Sequence, residues 1–81
     1  MNKYILLVMK WLNDKDSVSQ KELEANWGAT DEAVYSESWI AAYKAASGAA
    51  CGALNLTAYL VDEYFEITDE DRNEYERELN K

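Results

Sequence analysis

The sequence predicts an all-α protein: one domain over residues 1–81, a small bundle of three or four helices with a long alanine-rich central helix. Three features carry that expectation. The chain has no proline, so no residue imposes a break on a helix. It has only three glycines, Gly28, Gly48 and Gly52, too few turn formers for the many short connections of an all-β fold. Its apolar residues, 48% of the total, recur at intervals of three and four. That apolar fraction argues against disorder, and a chain of this length can bury one modest core.

The first helix is read from Tyr4, Val8 and Trp11, with Ile5 and Leu12 alongside, while Lys3, Lys10 and Asn13 can face water. A buried strand is the rival over residues 4–9. Helix is the reading adopted, ending near residues 13–16, "NDKD". Ser19 and Glu22 have the spacing of a capping box, and Val18 and Leu23 occupy the two positions of a hydrophobic staple. A short second helix, residues 20–27, is expected to stop at Gly28 in the left-handed conformation. Thr30 is expected to cap the next helix, with Asp31 and Glu32 in a first turn where the helix dipole favours negative charge.

From Thr30 no strong stop is legible before about Glu66, which defines the long central helix. Its middle, "AAYKAASGAACGAL", is almost all small side chains: Ala41, Ala45, Ala49 and Ala53 repeat every four residues, as do Gly48 and Gly52. Such a strip lets another backbone approach closely. Ala45, Gly48, Ala49 and Gly52 are therefore candidates either for packing within the chain or for self-association, a homodimer included. Tyr35, Trp39 and Tyr43 follow at four-residue intervals on one face, and Tyr59, Leu60, Glu63, Tyr64 and Ile67 form a mixed face. With three tryptophans and six tyrosines in so short a chain, some aromatic rings are expected at the surface as interface anchors. Thr68 is expected to cap the last helix, with Asp69, Glu70 and Asp71 in its first turn and Tyr75 and Leu79 as its only apolar contacts.

The charge is −8 and unevenly distributed. Residues 1–21 sum to +2, residues 22–61 to −4, and the last twenty, with nine acids against Arg72, Arg77 and Lys81, to −6. A chain so charged repels phosphates and membrane surfaces and attracts basic protein surfaces. The apolar run Tyr4–Met9 ends at Lys10, too short for a membrane span or a signal-peptide core. One cysteine, Cys51, cannot close an internal disulfide, and a reducing cytoplasm is the expected compartment.

Residues 19–35, "SQKELEANWGATDEAVY", resemble a helix-turn-helix element, with Leu23 at the early buried position, Gly28 at the turn and Val34 in the second helix. Glu24 and Glu37 depart from the pattern, at positions that usually hold a small residue and an aliphatic one. The would-be recognition helix, Thr30–Trp39, carries Asp31, Glu32 and Glu37 and no base, whereas DNA affinity comes from neutralising phosphates. A DNA-binding regulator is thus the weakest of three functional readings.

Chemistry finds little support. Asp69, Asp71 and Asn73 alternate like the start of a calcium loop, but Glu74 stands where glycine is required and Asn80 where the closing glutamate belongs. With no histidine, no evident base for Cys51 and no glycine-rich phosphate cradle, no enzyme, metal or cofactor is expected.

What stands out is the acidic end. Read as helix, twenty residues span about 30 Å, one carboxylate per roughly 3.3 Å, close to the roughly 3.4 Å between charges along a DNA strand. Glu66, Glu70, Glu74 and Glu78 fall in one row at four-residue spacing. With Asp62, Glu63, Asp69 and Asp71 they form the candidate partner-binding set. The competing reading is an ordinary solvated face.

The two ends, "MNKYILLVMKWLNDKDSVSQKELEAN" and "YLVDEYFEITDEDRNEYERELNK", resemble those of small tailed-phage proteins with an alanine- and tyrosine-rich middle, over about half of the chain. The middle is less repetitive here. That resemblance implies provenance, an infected host cell, and assigns no site residues. Together with the acidic end it gives the leading expectation: direct binding to, and inhibition of, a host or defence protein with a basic surface. A nucleic-acid-handling machine such as a CRISPR or restriction complex is the expected target, by nucleic-acid mimicry in the sharper version. The alternative is a helical structural or assembly protein that self-associates through the Ala/Gly strip.

Overall fold

The described residues form five α-helices, more than the three or four expected, because the stretch read as one central helix is two. The computed structural model describes residues 1–31 and 36–81. Its elements are α1 (Lys3–Asn13), a 3-10 turn (Lys15–Ser17), α2 (Gln20–Asp31), α3 (Glu37–Ala50), α4 (Leu54–Thr68) and α5 (Arg72–Leu79). Among the described residues there is no strand.

α1 starts because Asn2 turns its side-chain oxygen onto the amides of Tyr4 and Ile5, at 2.9 and 3.2 Å. It is a helix, so the strand alternative is excluded; of the face expected, Ile5, Val8 and Trp11 are buried, Tyr4 and Leu12 are half-buried, and Met9 is buried beside them. At its end Ser17 donates its hydroxyl to the carbonyls of Lys10 and Asp14, which tightens the exit.

The capping box at the start of α2 forms in both directions: the Glu22 amide donates to the Ser19 hydroxyl and the Ser19 amide donates to the Glu22 carboxylate, each at 3.1 Å. Val18 and Leu23 are both buried at the staple positions. α2 does not stop at Gly28. It continues to Asp31, and Thr30, expected as a cap, is buried inside the helix with its hydroxyl donating to the Trp27 carbonyl at 2.6 Å. A lone glycine inside a helix costs only about 1 kcal/mol relative to alanine. Trp27, just before Gly28, lies beside Tyr43 of α3, ring centroids 6.3 Å apart. The cap of α3 is Ser36, which accepts from the Trp39 amide at 3.3 Å. The roles expected of Glu32, Val34 and Tyr35 lie outside the described residues.

The long central helix is interrupted at Cys51–Ala53. Gly52 has a φ of +73°, its amide donates to the Ala49 carbonyl, and the Ala53 amide reaches back to the Gly48 carbonyl, both at 3.0 Å. These two bonds are a Schellman closure, which satisfies carbonyls that the end of α3 would otherwise orphan. α4 then folds back along α3. A straight helix could bury its small-residue face against nothing of its own, whereas the hairpin buries Ala41, Ala42, Ala45, Ala46, Gly48 and Ala49 between helices. α3 becomes the central element, packed against α1, α2 and α4.

The last boundary also shifts. α4 runs to Thr68, whose hydroxyl donates to the Tyr64 carbonyl at 2.9 Å instead of opening a new helix. Asp69 follows in the left-handed region with φ 56°, and Asp71 caps α5 by accepting from the Asn73 amide at 2.9 Å. Asp69, Glu70 and Asp71 thus connect the last two helices. α5 buries Tyr75 and leans Leu79 on the core, the two contacts expected of it.

Candidate functional site

The acidic set occupies three consecutive elements. Asp62, Glu63 and Glu66 are on α4, Asp69, Glu70 and Asp71 are in the connection, and Glu74 and Glu78 are on α5. The row Glu66, Glu70, Glu74 and Glu78 is therefore not one helical stripe, since α4 ends at Thr68 and α5 begins at Arg72. That correction removes the even spacing on which strand-like mimicry rested.

The bases of this segment are all engaged locally. Arg72 pairs with Asp62 at 2.5 Å and with Glu76 at 3.9 Å, Arg77 with Asp71 at 3.9 Å, and Lys81 with Glu78 at 2.9 Å. These pairs are solvent-exposed, so each contributes little to stability. Their electrostatic consequence is larger: Glu63, Glu66, Asp69 and Glu74 hold no ion pair among the described residues and leave the region strongly negative.

Glu70 has a different task from its neighbours. Its carboxylate accepts from the Tyr64 hydroxyl at 2.7 Å and from the Tyr75 hydroxyl, while Tyr75 in turn accepts from the Asn2 amide at 2.7 Å. Phe65 stacks edge-on against both tyrosine rings, at 5.4 and 4.9 Å. The cluster ties α4, the connection, α5 and the start of α1 into one joint. Burial, followed by the hydrogen bond to Glu70, pushes both phenols above their ordinary range, so they stay neutral donors at physiological pH. Sequence reading placed Glu70 in the partner-binding row and missed this joint, because Tyr64 and Tyr75 stand six and five residues from Glu70, off the three- and four-residue helical spacing, and Asn2 is at the other end of the chain.

The small-residue strip is inside the molecule. Ala45, Gly48 and Ala49 are buried in the packing around α3, and Gly52 is exposed at the turn. A face so covered is not open to a second copy. The helix-turn-helix resemblance breaks at its turn, because Gly28 is within α2; Glu24 and Glu37 are both exposed. Among the described residues, no group of three or more His, Cys, Asp or Glu side chains is placed to hold a metal ion, and no helix is long and apolar enough to cross a membrane. Cys51 is exposed beside the α3–α4 turn.

Sequence periodicity did not show which apolar residues stay outside. Ile40 on α3 and Leu54, Leu56, Tyr59 and Ile67 on α4 are exposed, with Tyr59 at 63% and Leu56 at 54% the most open. Of the mixed face expected on α4, Tyr64 turns inward and is buried, while Leu60, Glu63 and Ile67 line an open seam against α3. No protein-family model matches the chain, and no curated protein or solved structure is significantly similar to it.

Proposed function

We propose that this chain is a small acidic binding protein that occupies a basic surface on a nucleic-acid-handling protein and thereby inhibits it, with no catalytic step of its own. A phage setting, with a CRISPR or restriction complex of the infected cell as target, is the form of this reading that the resemblance of the two ends suggests. One observation carries it: across residues 62–78 every base present is already paired, while Glu63, Glu66, Asp69 and Glu74 hold no ion pair among the described residues. Unmatched carboxylates on a small rigid body steer it toward cationic surfaces and away from polyanions. The bend at Asp69–Asp71 favours general electrostatic competition with nucleic acid over imitation of a straight strand.

The test is affinity capture from host lysate, with and without nuclease, followed by competition with duplex DNA for the captured protein. Wild type should lose its partner to DNA and to rising salt. The variant Glu66→Lys/Glu74→Lys, which leaves the Glu70 joint intact, should capture far less of it. Equal capture by that variant, or tight binding of the wild type to naked DNA at ordinary ionic strength, rejects the proposal.

A further inference from the structure

The outer seam between α3 and α4 has a composition unlike the rest of the surface. α3 is packed by α1, α2 and α4, and the stripe it leaves outside is Ile40, Lys44, Ser47 and Cys51, residues spaced four, three and four apart. The facing stripe of α4 is Leu56, Leu60, Glu63 and Ile67, with the same spacing. Because the two helices run antiparallel from a tight turn, the stripes meet in order: Ile40 and Lys44 share one hollow with Glu63 and Ile67, while Ser47 and Cys51 share the next with Leu56 and Leu60. Apolar groups thus lie at both ends, with one cation and one anion between them on opposite walls. Lys44 and Glu63 form no ion pair with each other, and neither pairs with another described residue.

We infer that this seam is the interface of a homodimer, in which two copies pack as a four-helix arrangement about a two-fold axis parallel to α3 and α4. That operation lays α3 of one copy on α4 of the other at the same height. Ile40 meets the partner's Ile67, Cys51 meets the partner's Leu56, and Lys44 meets the partner's Glu63 at the same time as Glu63 meets the partner's Lys44. The alternative two-fold, perpendicular to the helices, sets α3 on α3 and gives neither charge a counterpart. Self-complementarity of this kind selects a second copy over an unrelated partner, since each wall of the seam supplies what the other lacks. Exposed Ile40, Leu56 and Ile67 supply the apolar area. Glu37 at the rim beside Ile40 is the one surplus charge lining the seam. Gly48 of the Ala/Gly strip lines the second hollow, and Glu63 is shared with the acidic partner surface, whose Glu66 and Glu74 lie outside the seam, so the Lys44 variant probes the dimer without altering that surface.

Sedimentation equilibrium over a concentration series tests it, with helical circular dichroism as a check that each surface variant is folded. Wild type should dimerise. Lys44→Glu and Glu63→Lys should each weaken the dimer by about tenfold or more, since each converts two attractive contacts into two repulsive ones. Mixing the two variants should restore association as a heterodimer, and Lys44→Glu/Glu63→Lys in one chain should restore the homodimer. Wild type that stays monomeric up to millimolar protein overturns the inference, as does failure of the mixture to associate or single reversals that leave the dimer unchanged.

Discussion

Thr57 sets its hydroxyl over Gly48, where a Cβ on residue 48 would come within 2.5 Å of Thr57 Oγ1. α3 and α4 are close here, and the hydroxyl itself is buried without a hydrogen-bond partner among the described residues. Gly48→Ala gains helix propensity but forces the hydroxyl to rotate or the helices to part, with an expected net loss of about 1 kcal/mol. Thr57→Ala opens the space that the new Cβ needs and removes an unsatisfied polar group. The double variant should therefore recover the loss, with a coupling of about 1 kcal/mol or more in urea-unfolding midpoints of the four proteins. Strict additivity would show that the two residues do not compete for one volume.

Gly52 and Asp69 both stand at helix ends with positive φ, and they should respond in opposite directions. Gly52→Ala puts a Cβ into the left-handed region and should cost about 1–2 kcal/mol, without any clash, since nothing lies near that position. Asp69→Gly removes the same strain where a side chain now bears it, partly offset by a freer unfolded chain, for a net gain below about 1 kcal/mol. Thermal melts moving the same way for both variants would contradict this account.

At the start of α2 the capping box makes two separable predictions. Ser19→Ala removes the acceptor for the Glu22 amide and should lower stability by about 1 kcal/mol in denaturant melts. Hydrogen bonds from the Ser19 amide and then the Ser19 hydroxyl hold the Glu22 carboxyl below its ordinary value of 4.5. A carboxyl depressed by folding stabilises above its unfolded pKa and loses that contribution as pH falls through the folded one. The stability difference between wild type and Glu22→Gln should accordingly be constant at neutral pH and shrink in acid below 4.5. A difference that stays level into acid would remove Glu22 from the account.

How much of this was legible depends on whether the determining contact is local. Ser19 with Glu22, Val18 with Leu23, and the buried face of α1 are set by neighbours within one or two turns, and each was readable from spacing. Thr30 and Thr68 have good cap chemistry, yet both belong to the last turn of the helix before them, with their hydroxyls turned to carbonyls three and four residues back. Gly52 was visible only as half of a Gly-x-x-x-Gly pattern. Its use as a left-handed terminator depends on α4 folding back onto the alanine face, a non-local gain. The acidic residues were readable as a cluster, but Glu70 was not separable from its neighbours, since only the tertiary fold brings Tyr64, Tyr75 and Asn2 to it.

That joint gives the last prediction. Tyr75→Phe removes the donor to one Glu70 oxygen and the acceptor of the Asn2 amide together, and should cost about 1.5–3 kcal/mol, whereas Tyr64→Phe, losing a single bond to the same carboxylate, should cost less. Both phenols are raised above their ordinary value of 10.0, first by burial and then by the bond to Glu70. A group whose pKa folding raises contributes fully below its unfolded pKa, and that contribution declines as pH rises beyond it. Wild-type stability should therefore begin to fall as pH passes 10.0, where the unfolded chain ionises and the folded joint resists. The Tyr64→Phe/Tyr75→Phe variant, weaker at neutral pH, should lose less on going alkaline, so that the two urea-midpoint curves converge. Parallel curves above that pH would mean that the two hydroxyls are not held neutral by the fold.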